Sequence, residues 1–253
     1  MTKQQTSNGT WLRQLHPAPA SGPRLICFPH AGGSASYFFR LSRAMHPMME
    51  VLAVQYPGRQ DRRTEPFADS LEELADHIVA ELRTLPPRPL VLFGHSMGAT
   101  VAFEVARRWE QRGGEVLALL ASGRRAPSCV RAEQAHTLDD AAFVTELRKL
   151  SGTDQQIFDD EQFLAMFLPA IRSDYRLVDE YRLTPGRRLR CPVVGMVGDD
   201  DPQVTLTEAR SWADHTMADF ALRVYDGGHF YLNTHTDEVV KEITACARTT
   251  ASS

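Results

Sequence analysis

Leu90-Val91-Leu92-Phe93-Gly94-His95-Ser96-Met97-Gly98 is the stretch that decides the fold. Four apolar residues without alternation read as a strand buried on both faces, and Ala99–Trp109 resumes with a helical pattern. Between them, Gly-x-Ser-x-Gly predicts a sharp strand-to-helix turn that leaves a serine hydroxyl at its tip. The glycines give the strained backbone room. The following helix would aim its first amides, and the positive end of its dipole, at the same point, where they could meet negative charge developing beside Ser96. The strand and helix on either side distinguish this nucleophile elbow from a turn that happens to carry a serine.

Working outward, the same alternation recurs. Arg24–Phe28 is a short apolar run that delivers the glycine-rich loop Pro29-His30-Ala31-Gly32-Gly33. Such a loop after an early strand is where a second backbone donor for an oxyanion would come from. It matches neither phosphate-binding glycine pattern. Tyr37–Met45 reads as a helix, Val51–Gln55 as a strand stopped by Tyr56-Pro57-Gly58-Arg59, and Ser70–Leu85 as a helix opened by a Ser70/Glu73 capping box and closed by Pro86-Pro87. Beyond the elbow helix come strands at Val116–Ala121, Pro192–Val197 and Phe220–Tyr225, with helices near Leu206–His215 and Thr236–Ala247. Trp11–Leu15 is a possible edge strand. Strands alternating with helices predict an α/β fold, a mostly parallel sheet with helices on both faces.

The alternation lapses between Ser122 and Arg190. Ala142, Phe143, Leu147 and Leu150 share one helical face, and Phe163, Met166, Phe167, Ala170 and Ile171 share another, with a kink expected at Pro169. This block is too short to bury a good core of its own, so it reads as a helical lid inserted into one domain. The expected organisation is a discontinuous core, 11–121 and 191–247, a lid at 122–190, and flexible ends at 1–10 and 248–253. The lid aromatics would pack on the core or line a substrate chamber.

Composition narrows the function classes. The chain has 253 residues, 43% of them hydrophobic and 24% charged, and its formal net charge is −4, so it has no basic field with which to hold nucleic acid. Cys27, Cys129, Cys191 and Cys246 are widely spaced, with no C-x-x-C pair and no ligand-spaced histidines, as in a reduced intracellular protein. No signal-peptide core and no membrane-length apolar run is present, and a cytoplasmic, soluble protein is expected.

A serine hydroxyl needs a base, and the base needs an orienting group. Asp199-Asp200-Asp201-Pro202 follows the strand ending at Val197, and Gly227-Gly228-His229 follows the strand ending at Tyr225. Both loops leave the carboxyl ends of strands, the edge where Ser96 must also sit. The order Ser, Asp, His is that of the α/β-hydrolases. His229 is the expected base. Asp201 is the expected orienting group, because the proline after it favours an extended backbone that projects its carboxylate; Asp199 is the alternative. His30 and His95 lie beside the two oxyanion elements. The expected reaction is acyl transfer through an acyl-Ser96 intermediate, with the N–H groups of Ala31 and Met97 holding the oxyanion. It requires no metal, nucleotide or redox cofactor.

Taken together, Phe28-Pro29-His30-Ala31-Gly32-Gly33, Gln55-Tyr56-Pro57-Gly58-Arg59, the elbow, Ser122-Gly123-Arg124-Arg125-Ala126-Pro127, Gly198–Pro202 and Gly227-Gly228-His229-Phe230 resemble the type II thioesterases of modular polyketide and nonribosomal peptide assembly lines. The resemblance covers about residues 11–247. It implies an α/β-hydrolase fold, a mobile lid, and hydrolysis of stalled or mis-primed acyl groups from the phosphopantetheine thiol of acyl or peptidyl carrier proteins. A monomer is expected. Carrier proteins are typically acidic, which makes Arg124/Arg125, Arg59/Arg62/Arg63 and Arg187/Arg188/Arg190 candidate contacts. A small-ester carboxylesterase would use the same triad, and a catalytically idle binding protein could keep the same scaffold.

Overall fold

The run that opens the elbow forms β4 (Leu90–His95), and α3 (Met97–Gln111) leaves it after a single residue. In the computed structural model, which describes residues 10–17, 19, 21–150 and 161–248, β4 is the middle strand of a seven-stranded sheet. The sheet order is β1 (Leu12–Gln14), β3 (Glu50–Val54), β2 (Arg24–Phe28), β4, β5 (Val116–Ser122), β6 (Val193–Gly198) and β7 (Phe220–Tyr225). All neighbouring pairs are parallel except β1 with β3, where the short edge strand runs antiparallel. The ends expected to be loose, apart from Thr10 and Arg248, lie outside the described residues, as does 151–160 within the insertion.

Both faces of the central strands are covered, which is why their sequences show no polar alternation. Ile26, Phe28, Leu92, Leu119 and Ala121 point to the side of α2 (Leu71–Leu82) and α3. Leu25, Cys27, Val91, Phe93, Ala118 and Leu120 point to α1 (Phe39–Met45) and α7 (Thr236–Arg248). Each such fully buried large side chain contributes about 1.5–3 kcal/mol over leaving it in water. The cap of α2 differs from the expected box in one detail. Ser70 accepts from the Glu73 N–H at 3.0 Å, but the Glu73 carboxylate returns to the Asp69 N–H at 2.6 Å instead of to Ser70. The helix expected near Leu206–His215 is α6 (Leu206–Arg210) followed by a 3-10 turn. All four cysteines are free thiols, and among the described residues no helix is long and apolar enough to cross a membrane.

Between β5 and β6 stand α4 (Asp140–Arg148) and α5 (Glu161–Glu180). Phe143 and Leu147 pack on Leu168 in a small cluster of their own. The helix of α5 continues on both sides of Pro169. Its buried arc is carried by Leu168, Ala170, Asp174 and Leu177, while Met166, expected on that face, falls at its margin and is 70% exposed. The C-terminal end of α5 is tied to the sheet domain: Leu177 and Tyr181 join the main core, and the Tyr181 hydroxyl donates to the buried Glu104 carboxylate on α3 at 2.7 Å. Glu104 also accepts from Arg107 at 3.0 Å and from Arg108, and Arg107 reaches the Thr184 carbonyl at 3.0 Å.

Removing that carboxylate takes a shared acceptor from one phenol and two arginines, of which only Arg108 keeps a second carboxylate, Asp76. Glu104→Ala should therefore lower the urea-unfolding free energy by about 3–5 kcal/mol, the usual penalty for breaking a buried ion pair from one side. A loss below about 1 kcal/mol, the scale of an exposed pair, would show that the network does not hold α5 to α3.

Candidate active site

Ser96 adopts φ 54°, ψ −121°, a conformation that costs a non-glycine residue on the order of 1–3 kcal/mol and persists only where its surroundings enforce it. Here they do. A Cβ on Gly98 would collide with the Phe28 carbonyl on β2, and one on Gly94 would collide with the Gly98 carbonyl, so strand, turn and helix touch backbone to backbone. The Ser96 N–H donates to the Ser122 carbonyl at 2.8 Å, and its own carbonyl accepts from Ala99 at 2.9 Å. The hydroxyl is thereby held at the N-terminus of α3, whose first N–H groups, Met97 included, have no intrahelical acceptor.

The loops after β6 and β7 are zipped to each other. The Asp199 N–H donates to the Tyr225 carbonyl at 2.8 Å, the Asp200 N–H to the Gly227 carbonyl at 3.1 Å, and the Asp199 carboxylate accepts from the Gly227 N–H at 2.9 Å. A Cβ on Gly198 would strike the Gly227 carbonyl. Asp199 is thus spent on the turn. Asp201, whose side chain is fully buried, sits 2.9 and 3.0 Å from His229 Nδ1 through its two carboxylate oxygens, and one of them also accepts from the Gln203 N–H at 2.8 Å. These contacts bring Asp201, of the three consecutive aspartates, to the histidine.

Ser96, Met97, Ala31 and His229 line one cavity of about 140 Å³, whose other walls come largely from the insertion, including Tyr175, Val178 and Asp179. The loop that carries Ala31 is held from several directions. Gln55 accepts from the Ala35 N–H at 2.9 Å, Arg59 donates to the Gly33 carbonyl at 3.1 Å, and Asp174 of α5 accepts from the Gly32 N–H at 2.7 Å. A hydroxyl at a helix N-terminus, sharing a cavity with an imidazole fixed by a buried carboxylate, has what it needs to attack a carbonyl carbon.

The arginines expected to face a partner are mostly committed elsewhere. Arg59, Arg62 and Arg125 are buried and paired with Asp174, Glu65 and Glu133. Arg124 lines the cavity with Glu133 and Asp179, and burial together with neighbouring Arg125 pushes its guanidinium down to about 10. Arg187 and Arg188 are exposed, but they precede β6 and so lie toward the opposite edge of the sheet from Ser96, where Arg190 meets Glu110 of α3.

Two further histidines are built in behind the site. His95 is fully buried, its Nδ1 2.9 Å from the Ser122 hydroxyl, which is 2.6 Å from the Tyr231 hydroxyl, and its ring centroid lies 5.0 Å from that of His229. His30 stands edge-on to Tyr37 and Phe230. Burial, reinforced by the neighbouring His229, pushes His30 down to about 3 and His95 well below the ordinary imidazole range. The unfolded chain, with histidines near 6.5, therefore binds protons that the folded chain refuses. Stability should be fully present above about pH 6.5 and should fall on acidification, approaching about 1.4 kcal/mol per pH unit for each histidine. Urea unfolding between pH 7 and 5 checks this; His95→Gln should have a slope shallower by about one proton, and an unchanged slope would remove His95 from the account.

Comparison with known proteins gives the chain its family. The thioesterase-domain family matches residues 23–246. Thioesterase PikA5 of Streptomyces venezuelae is 52% identical over 238 residues, spanning 93% of this chain and 85% of that protein. Gramicidin S biosynthesis protein GrsT of Aneurinibacillus migulanus is 32% identical over 91% of each chain. Among solved structures, the type II thioesterase BorB from the borrelidin biosynthetic cluster has a TM-score of 0.89 at 50% identity, covering 94% of this chain and 98% of its own. With the family match reaching from β2 into α7, and relatives of this identity aligned over nearly their full lengths, the chain belongs to the thioesterase family, enzymes that cleave thioesters on an α/β-hydrolase fold.

Proposed function

We propose that this thioesterase is a stand-alone, type II enzyme that hydrolyses stalled or mis-primed acyl groups from the phosphopantetheine thiol of carrier proteins in a polyketide or nonribosomal peptide assembly line, acting as a cytoplasmic monomer. The observation that carries the reading is the convergence of Ser96 and His229 on one cavity with Asp201 bonded to His229 from behind. The relatives support the setting: one is a gramicidin S biosynthesis protein and another comes from the borrelidin biosynthetic cluster.

In this mechanism Ser96 Oγ attacks the thioester carbonyl while His229 Nε2 takes its proton. Asp201 holds the Nδ1–H and stabilises the imidazolium that forms. The N–H groups of Ala31 and Met97 receive the oxyanion. Collapse of the tetrahedral intermediate breaks the C–S bond, His229 returns the proton to the departing thiol, and Ser96 is left acylated. Water then attacks the acyl carbon with His229 again as base, releasing the carboxylic acid and restoring Ser96. The insertion, residues 122–190, serves as a lid that closes the cavity over the acyl group and limits water until the carrier arm is seated.

Intact-mass monitoring of acyl-loaded carrier protein tests this reading. Ser96→Ala should lose on the order of 10³–10⁶-fold in turnover, and a variant that released acyl groups at the parent rate would sink the mechanism. Asp201→Asn should cost roughly 10⁴-fold in kcat. Asp199→Asn, which touches only the turn, should stay within about tenfold, and a reversed order would reassign the orienting carboxylate. A matched oxygen ester cleaved faster than the carrier thioester would favour a carboxylesterase instead.

A further inference from the structure

Asp174 is a carboxylate in a position where α5 otherwise buries apolar side chains, and its side chain is only 4% exposed. One of its oxygens, Oδ2, accepts from the Gly32 N–H at 2.7 Å and is also the partner of Arg59. Arg59 in turn donates through Nε to the Gly33 carbonyl at 3.1 Å and through Nη1 to the Pro57 carbonyl at 2.5 Å. The acid and the base therefore grip consecutive residues of the oxyanion loop. Ile171, one turn earlier on α5, fills the space where a side chain on Gly32 would be, and Gly32 itself has φ +75°, so the helix lies directly against the loop backbone there.

We propose that Asp174 is a positioning residue that couples seating of the insertion helix α5 to the geometry of the oxyanion loop. By holding the Gly32 N–H it orients the Ala31–Gly32 segment, and the Ala31 donor is correctly placed only while α5 is docked. The inference rests on the assignment of Ala31 as an oxyanion donor above. Its physical basis is that withdrawing α5 would leave a buried guanidinium and a loop amide without their shared acceptor, so helix and loop must move together. A substrate that lets the lid settle would thereby complete the site in the same motion, and an open lid would leave Ser96 with a weakened oxyanion hole.

The test compares Asp174→Ala with Asp174→Asn on acyl-loaded carrier protein. The asparagine side-chain oxygen can take the place of Oδ2 and accept from both Gly32 and Arg59, whereas alanine accepts from neither. Asp174→Ala should lower kcat about 10–100-fold, less than outright loss of an oxyanion donor, with KM within about threefold, and Asp174→Asn should recover kcat to within about threefold of the parent. Equal loss in both variants, a loss confined to KM, or an unaffected Asp174→Ala would overturn the proposal. Hydrogen exchange on the unsubstituted protein gives a second test that survives misfolding of the alanine variant. The Gly32 amide should be as protected as the backbone amides of α5 around Asp174, and a fast-exchanging Gly32 beneath a protected α5 would also overturn it. Activity in Ser96→Ala would instead defeat the proposed mechanism, and the exchange result would still decide whether α5 holds the loop.

Discussion

Ser96 sits in a backbone conformation that an L-residue does not adopt freely, and the centre of the molecule is arranged so that it has no alternative. For the strand to reverse into a helix within one residue, α3 must press against β4 and β2 until carbonyls and glycine α-carbons are in contact. That is why Gly94 and Gly98 have no room for a side chain. The same closeness fixes the first turn of α3 at the carboxyl edge of the sheet. A helix N-terminus there offers unpaired N–H groups and a partial positive charge beside the Ser96 hydroxyl. The strain at one residue and the electrostatic advantage of the site have a common origin in that packing.

The surrounding polar groups follow the logic of burial. A carboxylate as enclosed as Asp201 needs donors, and it has them in the His229 imidazole and the Gln203 N–H. The two neighbouring histidines are held neutral by the same dry environment, so His229 stands next to rings that do not add charge of their own at neutral pH. The zipped turns after β6 and β7 divide the three consecutive aspartates among different tasks. Asp199 builds the turn, Asp200 is exposed and contributes its backbone, and Asp201 reaches the histidine.

The insertion is joined to this centre by charge as well as by apolar packing. Tyr181 and Leu177 anchor the end of α5 to the main core, and Asp174 carries the contact forward to the loop opposite the elbow. A purely apolar arc would have let α5 slide or roll on the sheet domain at little cost. A buried ion pair tolerates far less displacement, because its desolvation is compensated only at short range and in good geometry.

Much of this was legible in the chain's pattern. Unbroken apolar runs bounded by glycine and proline marked the strands, the 3.6-residue stripes marked the helices, and the strand–Gly-x-Ser-x-Gly–helix sequence located the elbow, because these features depend on residues close together in the chain. The placement of Asp201 and His229 in loops at one sheet edge followed from the parallel order of strands. The preference for Asp201 over Asp199 rested in the sequence on the proline that follows it, and the reason Asp199 is unavailable, its bond to the Gly227 N–H, lies between loops 28 residues apart. The fate of Arg59 and Arg62, which look like surface charges in the sequence and are buried partners in the fold, did not follow from strand order. A single residue's type and its neighbours predict whether a segment buries one face. Which distant group will share a buried charge depends on how helices and loops far apart in the chain meet, and only the tertiary structure decides that.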